Sequence, residues 1–210
     1  MRVLIIGASK GIGLETTGQA LDAGYNVRAL ARTATAIGIS HRNLEKVNGD
    51  ALIVRDVEAA LFGVDAVILT LGVGFGDLFR PVHLFSKATS VLISAMEAQN
   101  VKRLICVTGF GAGDSRASIS CLQRLPFQIV FGHAYEDKSR QELMIKESAL
   151  DWTIARPGVL TGGPRTGRYR ILREASQWRN GVISRADVAD FLVRQIGDST
   201  YVNEAPVLVN

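Results

Sequence analysis

Cysteine is nearly absent. Two thiols in 210 residues, Cys106 and Cys121, have neither the density of a secreted disulfide scaffold nor the spacing of a metal site. Cys106 sits in an apolar run and is expected in the core. Long hydrophobic runs are missing too: "AVILTLGVGF" is interrupted by Thr70, Gly72 and Gly74, far short of the roughly 20 apolar residues that span a bilayer. The amino-terminal apolar stretch meets glycines instead of a cleavage site, so no signal peptide is expected and the expected location is cytoplasmic. Charge of one sign is not concentrated either. The 24 Lys+Arg and 20 Asp+Glu leave a formal +4, scattered rather than gathered into a run that would track a nucleic-acid backbone. That excess fits small anionic ligands or a solvated surface.

What is present is ordinary for a globular protein: 47% hydrophobic and 21% charged residues, with 21 glycines. Disorder is not expected on those numbers. The length accommodates one domain, residues 1–210, in which any substrate pocket is built from loops. No repeat, low-complexity tract or linker interrupts it.

Short apolar runs alternate with segments of helical period, which predicts an α/β fold: a single Rossmann-type, doubly wound parallel sheet with helices on both faces. The expected strands are Val3 to Ile6, Asn26 to Ala31, Leu44 to Asn48, Ala66 to Thr70, Arg103 to Val107 and Trp152 to Ala155, with Val207 to Val209 closing the edge. Helices are expected from about Ile12 to Ala23, where Gly18 would allow close approach to a strand and Gly24 would stop the helix. Others are expected over residues 81–100, with Pro81 in the first turn, and from about Glu136 to Ser148. In "ISRADVADFLVRQI", Ser184 and Asp187 have capping-box spacing. Residues 109–132 and 157–182 are expected to be irregular, pocket-forming loops.

The stretch "VLIIGASKGIG" carries the first functional signal. A strand runs into Gly7, Gly11 and Gly13, with Ser9, Lys10 and Ile12 between them. Such glycines permit a tight turn, let backbone approach a pyrophosphate and let the helix lie close to the sheet, while amides at the helix start hold the anion. A dinucleotide is therefore expected. At the end of the second strand, where an acid would bind the ribose hydroxyls of NAD, the chain has "RALARTATA". Arg32 and Thr33 stand where a 2′-phosphate would lie, with Lys10 nearby, which favours NADP(H) over NAD(H). Asp50 and Ala51 in "NGDA" would border the adenine, or form an ordinary turn. Leu71, Gly72 and Val73 in "TLGVG" would pass the ribose and pyrophosphate.

With these motifs in place, the chain resembles the short-chain dehydrogenase/reductase superfamily, and within it the small atypical branch of NAD(P)H-binding proteins that includes biliverdin-IXβ reductase and nitrogen-metabolite-repression type regulators. "GASKGIG", "ALAR", "NGDA", "DAVILTLG", "DLFRP", "CVTGFG", "LDWTIARPG" and "ISRADVADFL" occur in that branch's order. The resemblance implies NADPH laid across the carboxyl ends of the strands, with Thr108 beside the nicotinamide and polarising the substrate, and Pro157 near the carboxamide. It also exposes a departure. The wider superfamily pairs a Tyr with a Lys four residues later, whose charge lowers the phenol pKa. Here Tyr135 precedes Lys138 by three residues, and position 139 is Ser. Steps of three and four share one side of a helix, so Tyr135 and Lys138 stay candidates. Lys138 and Glu142 would form a face that could equally be a surface salt bridge. Gly109 replaces the serine of the biliverdin-reductase pattern.

Phe75, Phe79 and Phe110 are candidates for stacking on a planar acceptor, or simple packing. His133 is a candidate proton donor, or structural, and Arg156 an ion-pair partner. The expected function is an NADPH-dependent oxidoreductase acting on a small planar or carbonyl acceptor such as a flavin or quinone. No metal, nucleic-acid or membrane partner is expected, and the oligomeric state is left open. A non-catalytic NADP(H)-sensing regulator is the second reading and a sugar-nucleotide epimerase the third.

Overall fold

The central apolar runs pair as parallel strands because each is buried on both faces and can satisfy its backbone only in a sheet interior, while the more exposed Leu44–Asn48 run pairs on one side only, at the sheet edge. In the computed structural model, which describes residues 1–74, 76, 81–119 and 121–210, with backbone alone for 121–130, these runs form β1 (Arg2–Ile6), β2 (Asn26–Ala31), β3 (Leu44–Asn48), β4 (Ala66–Leu69), β5 (Arg103–Val107) and β6 (Asp151–Pro157). Three short strands follow: β7 (Val159–Thr161), β8 (Arg170–Leu172) and β9 (Val182–Ser184). The last is β10 (Val207–Val209). The main sheet has the order β3-β2-β1-β4-β5-β6-β10-β8. The chain reverses direction across the sheet between β1 and β4, which opens a crevice at their carboxyl ends.

Alternate residues of β1 feed two cores. Val3 and Ile5 face one cluster with Leu21, Val188 and Phe191. Leu4 and Ile6 face the other with Val57, Leu92 and Met96. The helices that cover the first face are α1 (Gly11–Asp22) and α5 (Arg185–Arg194); the second face takes α2 (Val54–Leu61) and α3 (Leu84–Ala98), with α4 (Cys121–Glu147) packed along α3. The doubly wound fold expected from the sequence is the one observed.

Several local expectations are corrected. The edge is closed by β8, which pairs antiparallel with β10, so Val207 to Val209 lies inside the sheet. The segment expected to be irregular from 109 to 132 contains a 3₁₀ turn, Gly113–Ser118, and the first turns of α4. The later segment, 157–182, supplies β7, β8 and the start of β9. Pro81 precedes α3 rather than starting it. The start is fixed by Asp137 of α4, whose Oδ2 accepts from the Phe85 and Ser86 amides at 2.8 and 3.3 Å. Gly18 is not a close-approach residue, since a Cβ there would meet only Ile39 Cδ1, at 3.8 Å. Gly24 does end α1, with φ at +85°.

Candidate active site

The carboxyl ends of β1, β2, β4, β5 and β6 surround a cleft of about 440 Å³. Its amino-terminal wall is the turn from β1 into α1, where Gly7 and Gly11 have φ of +88° and +58°. Gly7, Ser9, Lys10, Gly11 and Ile12 all line it. Gly13 lies behind this wall: a Cβ there would stand 2.1 Å from the Gly7 carbonyl oxygen and 2.7 Å from Thr70 Oγ1. The third glycine thus allows the helix to rest on the strand turn. No side chain caps α1, and its first turn holds no acid. The amides there are placed to receive an anion.

Arg32 lines the cleft at the end of β2. It and Lys10 are exposed, and their side chains make no hydrogen bond or ion pair with the described residues. Thr33 is exposed beside Arg32 but does not line the cleft. Asp50 and Ala51 line it, and Asp50 Oδ1 accepts from the Leu52 amide at 2.9 Å, an Asx turn that fixes the loop. Leu71, Gly72 and Val73 form the wall opposite, and Pro157 the far end. A backbone cradle and an apolar slot fit a dinucleotide diphosphate, and the side chains of Arg32 and Lys10 add positive charge to its border.

Thr108, Lys138 and Tyr135 are brought together at the end of β5. Thr108 and Lys138 line the cleft, and Lys138 Nζ donates to the Thr108 carbonyl oxygen. The same ammonium stands 4.9 Å from the Phe85 ring centroid and 5.8 Å from that of Tyr135. Burial pulls its pKa down to about 8, against the pull of Glu142 and Cys106 in the other direction. Tyr135 sits behind Gly109 rather than on the cleft wall. Burial pushes its phenol up to about 12.

The Thr108 hydroxyl is committed elsewhere, donating to Glu142 Oε1 at 2.6 Å. Glu142, 1% exposed, is gripped in turn by Arg156, through Nε to Oε1 at 3.0 Å and Nη2 to Oε2 at 2.5 Å. Arg156 also pairs with Asp114 and stacks 5.0 Å from the Trp178 centroid. Lys138 and Glu142 therefore form no surface salt bridge. They leave α4 on the same side and reach different partners, Glu142 in the interior and Lys138 at the cleft wall. Arg156 is the ion-pair partner the sequence suggests, and it holds Glu142, which holds Thr108.

Other candidates fall away from the cleft. Phe110 is buried in a small cluster with Ile119, Leu172, Val207 and Val209, so it packs and has no face for an acceptor. His133 is exposed on α4 and does not line the cleft. Phe75 and Phe79 lie outside the described residues. Cys106 is a buried free thiol whose pKa burial raises to about 12. Sequence reasoning missed the role of Glu142 as an anchor for Thr108, and missed Leu84, Leu160 and Arg185 as lining residues. Only Arg185 carried a signal, a cation at the start of a helix. Among the described residues no group of side chains is arranged for a metal ion, and no helix is long and apolar enough to cross a membrane.

Comparison with known proteins agrees with this geometry. Residues 7–199 match the family described as NAD(P)H-binding. An uncharacterised sugar epimerase of Bacillus subtilis is 27% identical over 98% of this chain and 92% of its own. An uncharacterised chloroplast protein of Arabidopsis thaliana is 26% identical over 93% and 71%. Among solved structures, the Escherichia coli O157:H7 protein ChuY, described as an anaerobillin reductase, is 27% identical with a TM-score of 0.82, covering 100% of this chain and 97% of that one. A short-chain dehydrogenase/reductase from Veillonella parvula, solved with NADP, shares the fold at 17% identity, TM-score 0.83, over 100% and 94%. By its glycine turn, its sheet order and the family match over residues 7–199, the chain belongs to the NAD(P)H-binding family.

Proposed function

We propose that this protein is a reductase that uses NADPH in preference to NADH and acts on a small planar or carbonyl acceptor such as a flavin or quinone. The observation that carries the reading is Lys138, an amine of pKa about 8 held at the inner end of the coenzyme cleft. A proton donor works best with a pKa near the operating pH, and Lys138 meets that condition where Tyr135, at about 12, does not.

When bound, the reduced nicotinamide supplies hydride to the acceptor. The turn from β1 to α1 would hold the diphosphate through backbone amides, and Arg32 with Lys10 would select the 2′-phosphate. Lys138 Nζ spends one donor on the Thr108 carbonyl and keeps others for the acceptor heteroatom. It delivers the proton that balances the hydride. Tyr135 packs beside the ammonium and acts as a positioning residue. Thr108, its hydroxyl proton directed at Glu142, fixes the floor and offers only an acceptor lone pair. The NADP complex of the Veillonella protein and the reductase description of ChuY support the same assignment.

The test is turnover by purified protein with NADPH against flavin, quinone and aldehyde panels. Loss of nicotinamide absorbance is expected for at least one acceptor, and Lys138→Met should abolish it while retaining NADPH binding. Very different affinities for NADP⁺ and NADPH without any turnover would instead identify a redox sensor.

A further inference from the structure

One cation of the cleft has no task in this scheme. Arg185, the first residue of α5, lines the cleft beside Pro157 and Leu160 and is half-buried. Its side chain makes no hydrogen bond or ion pair with any described residue. Its position is unfavourable in two ways: the guanidinium loses hydration, and it sits at the positive end of a helix. The acid in that first turn offers no relief. Asp187 Oδ1 accepts from the Thr166 and Gly167 amides at 2.7 and 2.9 Å, and Oδ2 from the Thr166 and Ser184 hydroxyls at 2.9 and 3.0 Å. Asp190, one turn on, is occupied by Arg194 and by the Tyr169 hydroxyl, each at 2.9 Å.

The remaining cations sort by place. Lys10 and Arg32 border the first helix and the end of β2, and Lys138 is tied to Thr108. Arg185 comes from the separate wall formed by the β7–β9 ribbon, in which Thr161 pairs with Ser184, its immediate predecessor. We infer that Arg185 is a specificity residue that receives an oxyanion of the acceptor, a carboxylate or phosphate carried off its planar ring. This inference rests on the reductase reading for the word acceptor, but not for the binding itself. A guanidinium offers forked donors to such a group, and a ligand anion supplies both the missing counter-charge and the interaction the helix end favours.

The test measures binding to NADP⁺-loaded protein, independent of turnover, with matched pairs: FMN against riboflavin, and anthraquinone-2-carboxylate against its methyl ester. The first pair reports a phosphate source and the second a carboxylate. The charged member of at least one pair should bind roughly tenfold or more tightly. Arg185→Gln should collapse that ratio toward one, and Arg185→Lys should restore part of it. Charged-member preference without turnover keeps the inference and removes the reductase reading. Equal binding within both pairs, or no binding of either charged probe, overturns it. So does a loss in Arg185→Gln that falls mainly on NADPH, which would assign the side chain to the coenzyme.

Discussion

The hydroxyl of Tyr135 occupies the space that a side chain at position 109 would take: a Cβ on Gly109 would stand 2.6 Å from Tyr135 Oη and 3.2 Å from Cζ. The two positions are therefore coupled, and the glycine is what admits the phenol. Gly109→Ser should displace Tyr135 and with it the packing of Lys138. The expected cost is ~1–3 kcal/mol of stability from overpacking, with a larger fall in kcat than in coenzyme affinity. In a Tyr135→Ala background most of the stability cost should vanish, which a double-mutant cycle in urea denaturation measures.

The proposed preference for NADPH rests on Arg32 and is tested by reversing its charge. Arg32→Glu should weaken NADPH by roughly a hundredfold and NADH by only a few-fold, because a charge-assisted bond to the 2′-phosphate is replaced by repulsion. Calorimetric titration with both coenzymes checks this; equal losses would remove the 2′-phosphate assignment.

The proposed role of Lys138 predicts a pH dependence. Its pKa, lowered to about 8 by burial, means that the protonated fraction falls as pH rises through 8. Turnover should decline about tenfold per pH unit well above that value. Stability has the opposite sign. The folded state releases this proton more readily than the unfolded chain, so the contribution of Lys138 grows from about pH 8 toward the unfolded value near ~10.4, by up to ~3 kcal/mol. Cys106, raised to about 12, opposes it over an overlapping range. The difference in stability between wild type and Lys138→Met, followed from pH 7 to 10, isolates the lysine.

Arg156 and Glu142 should be far more sensitive than either looks in sequence. Arg156→Met leaves a carboxylate, 1% exposed, without its guanidinium and releases Asp114. A loss of about 3–5 kcal/mol is expected on chemical denaturation. Glu142→Gln keeps a hydrogen-bond acceptor for Thr108 and should cost less.

Gly13→Ala brings a methyl group to 2.1 Å from the Gly7 carbonyl oxygen, where only backbone can yield. Coenzyme affinity should fall by at least ~tenfold together with thermal stability, since the same shift spoils the anion cradle and the seat of α1 on the sheet. Gly18→Ala, facing only Ile39 Cδ1 at 3.8 Å, should be neutral or stabilising by up to ~1 kcal/mol.

The amino-acid sequence by itself determined the sheet and the coenzyme end of the cleft. Their signals are local: a buried parallel strand is a contiguous apolar run, and a strand-to-helix turn against a phosphate needs glycines at fixed offsets. Arg32 was legible because it follows its strand directly. The eight residues of α2 were not, because so short a helix shows no period, nor were the strands β7 to β9, which lack the continuous buried apolar run that marks Val207–Val209. What only the tertiary structure decided is the chemistry at the inner end. Nothing in the chain says that Glu142 turns to Arg156 and Thr108 instead of Lys138, that Asp137 starts a helix some fifty residues earlier, or that Arg185 enters the cleft. These outcomes depend on which buried charges meet across elements distant in sequence, and a buried charge takes the partner that packing brings within reach.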